Sequence, residues 1–468
     1  MTRTGYTITG LGDIPEDWNI RPFNEILQVR QRKRRVESEK LYTIPMELIP
    51  ENGIYCKFNS LQKNEVLPPT YCEPGDILLP KITPSVENGK QGIVPNIPSG
   101  HAFATSEVYP IVAGDTITTL FTFYLLKTDR FRKPLIDSMV GTTGRQRVPK
   151  DSLFNLSFPV PPISEQQKIA EILTTADRKI ELIDREIQAT EKLKRGLMQT
   201  LLTKGIGHTK FKMTEIGKIP EEWKLGNLTS VSENENDIVA GPFGSNLKVS
   251  DYTEAGVPII RLQNIAPNSF IYKDIKYIKE EKAEELAYHS FLHGDIVLAK
   301  LGDPIGVSCI IPAELPHGIV VADVVRIRVS NKKADKQFVV QSLNSPMCLQ
   351  QLKSAKIGST RPRVNLADVR NLKILIPALP EQQKIAEILT TADKKIELLN
   401  EKKKEAGRLK KGLMQALLTG QVRVKIDSSK LFCLLSSNFK PPFLSKDNRS
   451  AESIIFLKFG LEEIESLN

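Results

Sequence analysis

The 468-residue chain contains no run of about 18 apolar residues, so no membrane-spanning helix is expected. Met1 to Gly10 include no apolar stretch of the kind a secretory leader needs. Cysteine occurs five times, at 56, 72, 309, 348 and 433, without a Cys-x-x-Cys pair. Neither a disulfide framework nor a zinc site is suggested, and a reducing cytoplasm is the expected location. There is no Gly-x-x-x-x-Gly-Lys-Ser/Thr loop to cradle phosphate and no His-Glu-x-x-His pair. His289 and His293 are four apart and would share one face of a helix. No third ligand is placed by sequence, and two surface histidines are the simpler reading. Lys440-Pro441-Pro442-Phe443 resembles the Pro-Pro-aromatic motif of amino-methylating enzymes. It lacks the Asn or Asp that would hydrogen-bond the amine, and no glycine-rich cofactor loop precedes it. The expectation is therefore no catalytic residue, no metal ligand and no cofactor held by this chain.

Net charge is +10 and the pI about 9.1, which permits a nucleic-acid partner. The surplus is spread along the chain. A DNA footprint would have to come from local clustering.

What the chain does have is repetition. Thirteen residues, Glu165 to Asp177, return unchanged as Glu381 to Asp393. Leu193-Lys194-Arg195-Gly196-Leu197-Met198-Gln199 reappears as Leu409-Lys410-Lys411-Gly412-Leu413-Met414-Gln415. A repeat of this length sets the architecture. Each copy predicts one long helix. Ile169, Ala176, Ile183 and Leu197 fall in one heptad row, and Leu173, Ile180, Ile187 and Leu201 in the other. The second copy places Ile385, Ala392, Leu399, Ala406 and Leu413 in one row, and Leu389, Ile396 and Leu417 in the other. Thr190, Lys194, Lys403 and Lys410 break the seam and are expected to fix register at some cost in stability. Ser164 is a candidate N-cap with Gln167 three residues on, and Pro377 and Pro380 punctuate the second start. Gly205 and Gly420 stand where each pattern ends. About 40 residues at about 1.5 Å each make a rod of roughly 60 Å.

A fainter repeat frames the first. Gly12-Asp13-Ile14-Pro15-Glu16-Asp17-Trp18 matches Gly217-Lys218-Ile219-Pro220-Glu221-Glu222-Trp223, and these are the only two tryptophans. Gly75 to Lys81 parallels Gly294 to Lys300, a glycine turn followed by an apolar strand. Val108 to Val112 is aligned with Val325 to Val329, and Phe154 to Phe158 with Arg370 to Ile374. The copies otherwise diverge. The expected organisation is a β-rich domain over 1–160, a helix over 161–205, a second β-rich domain over 206–376, a helix over 377–420, and an atypical tail over 421–468. The fold class is α+β, with the two helices forming an antiparallel coiled coil and a pseudo-two-fold within the chain. Its interface is expected at Ile169, Leu173, Ala176, Ile180, Ile183 and Ile187, and at Ile385, Leu389, Ala392, Ile396 and Leu399.

The remaining chemistry is binding chemistry. Arg30, Arg32, Lys33, Arg34 and Arg35 crowd one segment and would neutralise phosphates; a solvated charged loop is the plain alternative. Gly141 to Arg147 aligns with Ile357 to Arg363, two Gly/Thr/Ser loops ending in paired arginines. Arg145, Gln146, Arg147, Arg361 and Arg363 would grip phosphate or read guanine edges; a structural turn is the alternative. Ser245, Asn246 and Lys248 form another polar turn after Gly241-Pro242-Phe243-Gly244.

The order of these parts resembles the specificity (S) subunit of Type I restriction–modification systems. The resemblance rests on Pro161-Pro162-Ile163-Ser164-Glu165-Gln166-Gln167-Lys168-Ile169-Ala170 and its twin Pro377 to Ala386. The Leu-Met-Gln-x-Leu-Leu-Thr ends at 197–203 and 413–419 add to it, as do the Ile-Pro-Glu-x-Trp segments and Gly241 to Ser245. It covers residues 1 to about 425; the family usually ends soon after the second helix, so the tail departs from it. The resemblance implies two target-recognition domains, each reading half of a bipartite, asymmetric site in double-stranded DNA, with the coiled coil setting their separation. It implies two modification (methyltransferase) subunits, which bind S-adenosylmethionine and methylate adenine N6, and restriction (translocase/endonuclease) subunits. The chain itself would be a non-catalytic subunit. The alternatives are a coiled-coil scaffold with two protein-binding ends and a self-sufficient methyltransferase or nuclease. If the rods act as a ruler, inserting one heptad into both lengthens the spacer of the methylated site; sequencing host methylation checks this, and an unchanged spacer refutes the ruler.

Overall fold

Two helices of 42 and 40 residues, Ile163–Lys204 and Leu379–Leu418, carry the repeated sequence. The computed structural model describes residues 4–9, 12–31, 40–61, 67–142, 144–302, 304–356 and 363–424. Arg32, Lys33, Arg34, Arg35, Arg361 and the tail from 425 onward, with Lys440 to Phe443, lie outside the described residues. The chain divides into two compact units, Met1–Asp184 with Glu401–Asn468, and Arg185–Asn400. Each unit thus holds one β-rich region, the start of the helix that follows it and the end of the other helix.

In the first unit a four-stranded sheet runs in the order Leu27–Val29, Val108–Ala113, Ile77–Pro80, Gly92–Ile93. Its strand Ile77–Pro80 is buried throughout, so it reads as an unbroken apolar run rather than an alternation. A second sheet joins Asn59–Ser60, Tyr42–Ile44, Ala102–Ala104 and Thr70–Cys72. The last strand, Ser157–Val160, pairs antiparallel with Asn19–Pro22, which closes the region just before the helix begins.

The second unit repeats the plan. Ile238–Ala240, Val324–Ile327, Ile296–Ala299 and Ser308–Ile310 form the matching sheet, and Lys224–Asn227 pairs with Lys373–Ile376 ahead of the helix. Its other sheet has five strands instead of four. The ladders correct one alignment. Val108 pairs with Pro80, and Val324 with Ala299, each partner standing just before a lysine. Val108 therefore corresponds to Val324, not Val325. Tyr109-Pro110 carries no alternating pattern, so sequence alone left this frame loose.

The helix starts also differ from expectation. The first helix already includes Ile163, so Ser164 lies inside its first turn. The Pro162 carbonyl accepts from the N–H groups of Glu165 and Gln166, at 2.9 and 3.0 Å. Ala378 does the same for Glu381 and Gln382. The C-terminal glycines behave as read: Gly205 and Gly420 have φ of +67° and +73°, the left-handed region that ends helices.

Within each unit the helix segments run antiparallel. Asp177 pairs with Lys410 at 2.5 Å and Asp184 with Lys403 at 2.6 Å in the first unit. Lys194 pairs with Asp393, and Glu186 with Lys395 at 2.9 Å, in the second. Partner numbers fall as the others rise, which only opposed directions permit. Ile183, Ile187 and Leu399 are buried, while Ala176, Ile180, Ala392 and Ile396 are half-buried. Ile169 and Leu173 are fully buried in the core of the first unit beside Leu417 and Leu418. Ile385 and Leu389 are likewise buried with Met198 and Leu202. The lysines that break the heptads reach carboxylates on the opposing helix, so three of the four polar breaks are ion pairs. Thr190 instead donates to the carbonyl of Glu186 at 2.8 Å, within its own helix.

Asp393 also accepts from Gln341 Nε2 at 2.6 Å. A double-mutant cycle of Lys194→Met with Asp393→Asn is expected to give a coupling of about 0.5–3 kcal/mol in urea unfolding, as for contacting groups in one network. Additive effects contradict the cross-helix pair.

Candidate nucleic-acid interface

Each β-rich region is fixed to its helix by a carboxylate, buried in the first unit and half-buried in the second. In the first unit Glu165, 1% exposed, accepts from Trp18 Nε1 at 3.0 Å. It also accepts from Arg423 Nε and Nη2 at 2.8 and 2.9 Å. Arg423 forks onto Asp17 as well, at 2.8 and 2.7 Å. That guanidinium holds the Asp17 carboxyl below the usual carboxylate range. In the second unit Glu381 accepts from Trp223 Nε1 at 3.0 Å, the Ile206 N–H at 2.9 Å and His208 Nε2 at 2.9 Å. His208 and Arg423 each follow the helix-ending glycine by three residues, so His takes the place of Arg. Added Cβ atoms show why those positions are glycine. At Gly205 one would lie 2.4 Å from Glu381 Oε1, and at Gly420 one would lie 2.5 Å from Pro15.

The next repeated residue works on the loop before the helix. Gln166 Oε1 accepts from the Thr118 N–H at 2.8 Å, and Nε2 donates to the Pro161 carbonyl at 2.8 Å. Gln382 does the same for the Asp335 N–H and the Pro377 carbonyl, both at 2.9 Å. Tyr124 donates to Asp177 at 2.8 Å. The repeat is therefore a docking surface: its buried polar face holds a strand region, its apolar face the other helix end.

The candidate binding residues separate into distinct settings. Arg30 pairs with Asp76 at 2.5 Å and Glu73 at 2.8 Å. Asp76 is 1% exposed and also accepts the Glu73 N–H at 2.9 Å. Arg328 does the same work for the equivalent Asp295, at 3.0 and 2.8 Å, from a different strand. Arg30 thus neutralises a buried carboxylate. Arg145, Gln146 and Arg147 form one strand of a hairpin with Val140–Thr142. Arg145 is exposed; Gln146 is held by backbone bonds to Thr83, whose Oγ1 accepts its N–H at 2.8 Å. Arg147 donates to Glu107 at 2.6 Å with much of its side chain still exposed. Arg363 is exposed and bridges Leu301 as Arg147 bridges Ile82. Ser245, Asn246 and Lys248 are exposed beside Phe243, which is 83% exposed.

In the sequence Lys81 and Lys300 stand only as the ends of two apolar strand signals. Both stand beside these arginines, and their matching positions in the repeated Gly-Asp strand were the available clue. The histidines do not share a helix: His289 closes a single turn, strand Ser290–Leu292 follows, and His289 Nδ1 contacts the Ala240 carbonyl at 2.7 Å. Among the described residues no three His, Cys, Asp or Glu side chains gather as for a metal. Cys56, Cys309 and Cys348 are buried, which pushes each thiol up to about 12. No helix of the described residues is long and apolar enough to cross a membrane.

The family described as Type I restriction modification DNA specificity domain matches residues 15–192 and again 220–408. The chain belongs to this family. The MjaVIII specificity subunit of Methanocaldococcus jannaschii is 29% identical over 425 residues, spanning 88% of this chain and 94% of the relative. The EcoKI specificity subunit of Escherichia coli K12 is 20% identical over 408 residues, 80% of this chain and 82% of the relative. The solved S subunit from M. genitalium matches with a TM-score of 0.52 at 15% identity, over 86% of this chain and 96% of that one. This likeness concerns the fold. The specificity-domain boundaries run into both long helices, in keeping with docking residues being part of each domain.

Replacing Glu165 by Ala leaves Trp18 and part of Arg423 without a partner, and about 3 kcal/mol of stability is expected to be lost. Chemical denaturation of the first unit's tryptophan signal measures it. A change within about 0.5 kcal/mol contradicts the docking role.

Proposed function

We propose that this chain is the sequence-reading subunit of a Type I restriction–modification complex. Each β-rich region reads one half of a bipartite, asymmetric site in double-stranded DNA. The observation that carries this is twofold repetition of the docking surface beneath two regions whose loops differ. Equal mounts with unequal readers suit half-sites of unequal sequence, held at a separation set by geometry.

The outward residues of the repeat support recruitment of identical partners. Gln167, Glu171, Gln383 and Glu387 are exposed, repeated, and used by neither the strand regions nor the opposing helix. A groove beside the first helix is lined by Thr119, Leu120, Gln167, Glu171, Thr174 and Arg178. Two modification subunits, one per copy, are the partners we assign to these faces, with restriction subunits joining them. Methylation of adenine N6 and the S-adenosylmethionine it consumes belong to those partners, and the chain contributes recognition without catalysis, in the cytoplasm.

Selection of bound duplexes from a random pool by the chain with its modification subunit tests this reading. Two short conserved blocks separated by a fixed unspecified spacer are expected. A single contiguous block, or no preference, overturns it. Exchange of residues 1–160 for those of another specificity subunit is expected to change one block and leave the other intact.

A further inference from the structure

One cationic arrangement occurs twice and belongs to neither the docking surface nor the divergent loops. In the first unit strand Ile77–Pro80 runs into Lys81. The Lys81 N–H donates to the Glu107 carbonyl at 3.0 Å, and its own carbonyl accepts from Val148 at 2.7 Å. In the second unit Ile296–Ala299 runs into Lys300. The Lys300 N–H donates to Asp323 at 2.8 Å, and its carbonyl accepts from Val364 at 3.1 Å. Val148 and Val364 directly follow Arg147 and Arg363. The same ladder therefore brings a lysine, an arginine and a carboxylate to the end of the same central strand in both units.

The electrostatics match as well. Burial lowers the ammonium pKa of both lysines. The neighbouring arginine lowers it further, while Glu107 or Asp323 opposes this. The Lys81 ammonium also sits 4.7 Å from the Tyr109 ring centroid. Two cations against one carboxylate leave a surplus of one positive charge at a half-buried strand end. A ligand carrying a single negative charge balances it, and a phosphodiester carries one.

Resting on the proposed DNA-reading role, we infer that Lys81 with Arg147, and Lys300 with Arg363, form two equivalent seats for one backbone phosphate each. Base reading does not suit a feature shared by two otherwise dissimilar regions. Readers of different half-sites would need different side chains, whereas every nucleotide offers the same phosphate. The seats position each region on the duplex, and the loops around them carry sequence.

The test uses the full chain with its modification subunit, the selected duplex and a scrambled duplex of equal length, titrated over a range of salt. Lys81→Gln and Lys300→Gln are expected to weaken binding to both duplexes by the same factor. Each is expected to flatten the slope of log affinity against log salt by about 0.9, the release expected for one phosphate contact. Lys81→Arg and Lys300→Arg keep the slope, and thermal unfolding verifies folding of all four. A loss confined to the selected duplex assigns base reading and overturns the seat. An unchanged slope in well-folded Gln variants, with the wild type still preferring its site, overturns the seat alone. A wild type without sequence preference overturns the reading role itself.

Discussion

A carboxylate hydrogen-bonded to an indole N–H, fully buried at Glu165 and half-buried at Glu381, fixes each half of this molecule. Glu165 and Glu381 are acceptors that burial makes costly to leave unmatched, so the tryptophan, the helix end and the basic or histidine side chain beyond the glycine must all arrive together. The requirement accounts for the inward-facing residues of the thirteen, among them Glu165, Gln166, Ile169 and Leu173 with their twins. The two copies are not equal in chemistry. Arg423 is charged at any relevant pH, whereas His208 is charged only when protonated.

The antiparallel sense of the helices follows from charge as much as from apolar packing. A heptad seam of Ile, Leu and Ala specifies contact but tolerates alternative registers. The cross-helix pairs Asp177–Lys410 and Lys194–Asp393 couple the same two repeat positions reciprocally. The repeated Asp of each copy meets the repeated Lys of the other, which is the pattern of a self-complementary interface written into one chain. Such pairs penalise a slipped register, because a slip leaves half-buried charges without partners.

The frame of the fold was legible in the sequence because long identical segments and heptad spacing are strong signals. The duplicated Trp segments and the glycine stops were equally plain. Other features were not. Ser164 looked like a helix cap, but the prolines before it let the helix begin earlier, and a backbone carbonyl serves the first turn. The polar breaks in the seam looked like costs, since one heptad row does not reveal which carboxylate faces it. Arg30 looked like part of a basic run, while its acceptor Asp76 stands far off in sequence and is found only by folding. Of the residues we assign to phosphate, Arg147 and Arg363 stood out in the sequence, each ending one of the two aligned Gly/Thr/Ser loops. Lys81 and Lys300 were hidden by their position at the end of apolar strands, where a lysine looks like a solvated terminus.

The central claim is that one chain supplies both halves of an opposed helix pair. Replacing Asp177 and Lys410 by cysteine in one variant, and Lys194 and Asp393 in another, lets a short bismaleimide join the two facing thiols, with each link located by peptide mass mapping. The account predicts that both links form within a single chain and leave it monomeric in denaturing electrophoresis. Links that join two chains, or no link in a folded protein, would contradict it.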